Sequence, residues 1–90
     1  MSEVNVDHLR SLFDLLDRTQ ELHGSISGTT EVLKHAVDKI QLAIFSLAQW
    51  DYVGGFGFGG YAPRLSVLRG VGLAYGAEKA IEMIRKEYHL

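Results

Sequence analysis

The sequence predicts an all-α domain, and three observations carry that expectation. Two stretches before residue 54 repeat apolar residues at helical spacing, and a third does so after residue 63. Pro63 is the only proline and stands where that third stretch begins. Between them, Trp50-Asp-Tyr-Val-Gly-Gly-Phe-Gly-Phe-Gly-Gly-Tyr-Ala-Pro63 gathers five of the nine aromatic residues and half of the ten glycines. The expected architecture is a short helix over 5–22, a long helix over 30–53 and a returning helix over 63–88. A Gly/aromatic loop at 54–62 joins the last two, all within a single α-helical domain covering 1–90.

In the first helix Leu9, Leu12, Phe13 and Leu16 fall at i, i+3, i+4, i+7 and form one stripe. Asn5 or Asp7 serves as its cap, since a short polar side chain accepts a hydrogen bond from an unpaired first-turn amide. Arg10, Asp14, Asp17, Arg18 and Glu21 lie off the stripe, whereas Leu15 is apolar and outside it. Gly24 sits where a residue just past a helix end would, and the short turn through Gly28 makes the first two helices antiparallel neighbours.

The long helix starts at Thr29 or Thr30, and Leu33, Ala36, Val37, Ile40, Ala43, Ile44 and Leu47 keep the helical repeat. From Ile40 onward Leu42 and Phe45 add apolar surface to the side that should be wet. A helix apolar nearly all round is buried nearly all round, so this stretch needs a cover beyond two small helices. The glycines after Val53 cannot sustain a helix, because each costs about 1 kcal/mol there. Exposed aromatics are sticky, so Phe56, Phe58 and Tyr61 are expected to be docked, and a neighbouring chain is the favoured site. In the returning helix Leu73, Ala77, Ala80, Ile81, Ile84 and Tyr88 share a face. Gly72-x-x-x-Gly76 there offers a flat strip for close helix approach.

Composition narrows the function classes. The net charge is −2 and 47% of residues are hydrophobic, so no concentrated basic surface exists for nucleic acid. Residues 1–53 carry four cations against eight carboxylates, while residues 54–90 carry five against three. Such halves can attract each other between copies. Without cysteine there is neither a disulfide nor a thiolate metal site. The acidic start resembles no secretory signal, so the cytoplasm or a viral or filament assembly is the default location. The apolar run 40–62 holds one charge, Asp51, yet its glycines and Gln41, Ser46 and Gln49 suit a protein interface better than a membrane span.

Chemistry is not indicated. Gly70-Val-Gly72-Leu-Ala-Tyr-Gly76 has the spacing of a dinucleotide-binding turn but no second strand to follow it. Glu31, His35 and Asp38 share a helical face, yet one helix supplies an incomplete ligand set. No enzyme activity, cofactor or metal is therefore expected.

The segment Trp50-Asp-Tyr-Val-Gly54 between helical stretches is similar in outline to the turn of WXG-type secreted helical hairpins. The glycine comes two residues late, and Lys79 stands where that family's acidic residue after Tyr75 would be. The chain is accordingly not placed in that family.

The function expected is structural: a subunit that self-associates into a homo-oligomer such as a virion, filament or shell component. Its partner is itself, or another assembly protein. Leu42, Phe45, Trp50, Phe56, Phe58 and Tyr61 are the expected interface contacts, with Gly72 and Gly76 allowing close helix approach. The alternatives are a small protein-binding or regulatory helical module and a membrane-associated helical hairpin.

Overall fold

A computed structural model of the chain describes residues 3–25, 30–55, 58–70 and 73–90. The order is α1 (Val6–Ser25), α2 (Thr30–Ala48), β1 (Trp50–Gly55), β2 (Phe58–Pro63), α3 (Arg64–Leu68) and α4 (Ala77–Glu87). The protein is mostly helical, but it is not purely α: a two-stranded antiparallel sheet stands between α2 and α3 in the chain.

α1 starts as its sequence requires. The Asn5 side chain accepts a hydrogen bond from the His8 amide at 3.1 Å, which makes Asn5 rather than Asp7 the cap. Leu9, Phe13 and Leu16 are buried, and Leu12 packs beside them. Thr19, one turn past Leu16, is buried as well; its hydroxyl donates to the Leu15 carbonyl at 2.8 Å, so no polar atom is stranded. The helix runs through Gly24 to Ser25 instead of stopping before it.

α2 lies along α1 and contributes Ile40, Ile44, Phe45 and Ala48 to the core. It ends five residues earlier than its hydrophobic pattern suggests. Gln49 turns into the left-handed region with φ 60°, and from Trp50 the chain is extended. Hairpin pairing supplies the reason: the chain beyond residue 49 gains cross-strand bonds that a glycine-rich helix could not match. The register pairs Trp50 with Pro63, Tyr52 with Tyr61 and Gly54 with Gly59.

The returning helix is also divided. α3 ends at Leu68, Gly70 adopts φ 74°, and helix resumes only at Ala77. Ala80, Ile81 and Ile84 of α4 are buried against α2 and β2. Arg85 reaches α1: its guanidinium lies 4.6 Å from the Phe13 ring centroid and 2.7 Å from Asp17 Oδ1. This contact fastens the C-terminal helix to the N-terminal one.

The described residues form a slab of 44 × 34 × 17 Å with a radius of gyration of 14.0 Å. A compact chain of this length would have about 12 Å. A thin slab has much surface for its core, and several large apolar side chains remain outside.

Candidate interaction surface

The hairpin is seated on α2 by rings. Phe45, 2% exposed, stacks on Tyr61 with centroids 3.8 Å apart and planes 9° from parallel. Trp50 is buried and lies 6.4 Å from the Tyr75 ring. Tyr52 meets Tyr61 edge-on at 5.4 Å. This arrangement explains the apolar back of α2 at Phe45: the chain's own hairpin covers it.

Glycines make the packing possible. A Cβ on Gly59 would collide with the Tyr52 hydroxyl, and one on Gly54 would stand 2.7 Å from that ring. Tyr52 therefore lies across the two facing glycines. On the other strand, a Cβ on Gly60 would sit 2.8 Å from the Tyr75 carbonyl oxygen. Its absence lets residues 73–76 run against β2. There the Tyr61 amide donates to the Tyr75 carbonyl at 2.7 Å and the Tyr75 amide donates back at 2.8 Å.

At the hairpin base, Arg64 grips Asp51 through both Nε and Nη2, the nearest contact being 3.1 Å. That hydrogen bond, and then the charge of Asp51, hold the Arg64 pKa above its ordinary value. The Tyr88 phenol is also raised, by burial first and by the Glu87 charge second.

The expected interface residues do not form one group. Phe45 and Trp50 are buried in the chain's own core, and Tyr61 is half-buried on Phe45. Leu42 is 49% exposed, one turn from Phe45 on α2. Gly76 caps α4 rather than lying within a helix, and a Cβ there would meet nothing within 4 Å. The expected close-approach strip therefore has no continuous helix to carry it. Phe56 and Gly72 lie outside the described residues, and Phe58 is described for its backbone alone.

Other residues make up the exposed apolar surface. α3 buries none of its residues: Leu65, Val67 and Leu68 all face outward, Leu68 at 77% exposure. Tyr52, Val53 and Leu73 are exposed too. The short run Arg64-Leu-Ser-Val-Leu-Arg69 carries a signal that reading it as part of a long helix hid. Its apolar residues fall at i, i+2 and i+3, which spreads them around roughly half of the helix instead of along the i, i+3, i+4 stripe that one core covers.

Among the described residues, no group of three potential ligands is placed to hold a metal ion, and Glu31, His35 and Asp38 are all exposed. A cleft of about 350 Å³ between the first two helices and the start of α4 is lined by His23, Lys34, Asp38 and Glu78 among others. Its charges are mixed in sign and all exposed. No helix among the described residues is long and apolar enough to cross a membrane.

Comparison with known protein families, with curated proteins and with solved structures returns no match.

Proposed function

We propose that the chain is a structural subunit that self-associates into a homo-oligomer, of the kind that builds a virion, filament or shell. The observation that carries this reading is α3, an element whose apolar side chains are all left outside the chain's own core. Contiguous exposed apolar surface marks an association site in a folded protein. Five residues of helix have little propensity to persist on their own, so α3 gains order from whatever covers it. Leu73 and, on the hairpin, Tyr52 and Val53 are further exposed apolar side chains available to a second copy.

Native mass measured by light scattering across a dilution series tests the reading. The wild-type chain should exceed monomer mass, and Leu65→Ser/Leu68→Ser should lower that mass. Neither side chain is buried in the fold, so the thermal midpoint of the variant should stay within a few degrees of wild type, corresponding to less than about 1 kcal/mol. A monodisperse monomer at every concentration would overturn the proposal.

A further inference from the structure

The two edges of the sheet are not equivalent. In an antiparallel ladder the amide and carbonyl of one residue point to the same side, alternating along the strand. Tyr61 spends both groups on Tyr75, away from β1. Tyr52, its partner across the ladder, therefore points its own amide and carbonyl away from β2. A second bond confirms the alternation, because the Arg64 amide donates to the Gln49 carbonyl at 2.9 Å, three positions from Tyr52 on the inward-bonding set. Gly54 follows Tyr52 by two and points outward as well. Among the described residues nothing bonds to these outward groups of Tyr52 or Gly54, and both residues are exposed. The β2 edge is closed by Tyr75, whereas the β1 edge is open beyond its base.

We infer that the open edge of β1 is a two-fold interface, on which β1 of a second copy pairs antiparallel with Val53 at the axis. This rests on the self-association proposed above and adds to the α3 surface a second contact, at the hairpin edge. The strand is complementary to itself in this register. Tyr52 of one copy stands opposite Gly54 of the other, and each pair exchanges both backbone hydrogen bonds using groups that have no partner among the described residues. Each Tyr52 ring meets a glycine and not a second ring. Val53, half-exposed, meets its own symmetry mate in a non-hydrogen-bonded pair, where side chains come closest. Asp51 faces Gly55, so the two carboxylates stay apart, and each is already held by its own Arg64. The result is an isologous contact that turns two hairpins into one four-stranded sheet. It removes the free edge that natural sheets otherwise guard with charge or proline, neither of which β1 has beyond Asp51.

The chain has no cysteine, so Val53→Cys places one thiol at the axis. Cα atoms of a non-hydrogen-bonded pair lie about 4.5 Å apart, within disulfide reach. Under mild oxidation Val53→Cys should form a covalent dimer at least about ten-fold faster than Val32→Cys, an exposed control on α2. Tyr52→Pro removes the outward amide together with the ring that meets Tyr61, and it should lower the native mass while leaving the helical signal in place. Should that variant lose its fold, the cross-linking rate decides alone. An oligomer in which Val53→Cys is no faster than the control overturns the edge pairing and leaves self-association standing. A monomer at all concentrations overturns both.

Discussion

Gly60 shows how much one missing atom can decide. A Cβ there would sit 2.8 Å from the carbonyl oxygen and 3.0 Å from the amide nitrogen of Tyr75, both backbone atoms with little freedom to yield. Gly60→Ala should therefore destabilise the protein by about 1–3 kcal/mol, the usual cost of overpacking, read as a lower midpoint in chemical denaturation. Gly76→Ala is the contrast. Its φ is −57° and a Cβ would meet nothing within 4 Å, so the midpoint should barely move, by less than about 0.5 kcal/mol. Tyr88 carries the pH dependence at this scale. Burial and Glu87 hold its phenol above the ordinary value of 10.0, so the folded state disfavours the phenolate. The associated stability is complete below the unfolded pKa and is lost as pH rises through the folded one. Stability should fall above about pH 10, and Tyr88→Phe should flatten that decline in alkaline denaturation curves.

At the scale of elements, the hairpin is the part that depends most on its neighbours. A lone two-stranded hairpin is marginal in water. Here it is held by the Phe45–Tyr61 stack, by the Tyr61–Tyr75 backbone pair and by Arg64 on Asp51. Phe45→Ala should cost about 3–5 kcal/mol. Amide exchange should report more than the loss of global stability: protection at Tyr61 and Tyr75 should fall before protection in α1, which carries neither ring of that stack. The Arg64–Asp51 pair is exposed and screened by salt, so its removal should loosen the hairpin base only slightly.

For the molecule as a whole, shape and stability point the same way. A slab 17 Å thick buries Leu9, Phe13, Leu16, Ile44 and Ile84 well, yet leaves Leu65, Leu68 and Leu73 exposed. Domains of this size hold only a small margin of stability, roughly 5–15 kcal/mol, so covering that surface would matter. With self-association, the thermal midpoint should rise with protein concentration, because only the folded state has a partner to bind. A midpoint independent of concentration over a hundred-fold range would count against it.

The sequence by itself determined the helices with a single wet face. The stripes Leu9–Leu16 and Ala80–Ile84 were legible because each helix buries one side, and periodicity records that directly. It also marked 54–62 as non-helical, through glycine. What it could not decide was that strands form at all and begin as early as Trp50: Trp50 to Val53 continue the helical repeat of α2, yet Trp50, Tyr52 and Val53 are equally good strand residues. That choice belongs to Tyr61, Gly60 and Tyr75, which lie up to 25 residues away and act only once the chain has folded back. The candidate surface was hidden for the same reason. Whether an aromatic is anchor or interface depends on what lies over it, and Phe45 is covered by this chain's own hairpin. Local pattern records which residues avoid water; tertiary packing decides which of them succeed within one chain.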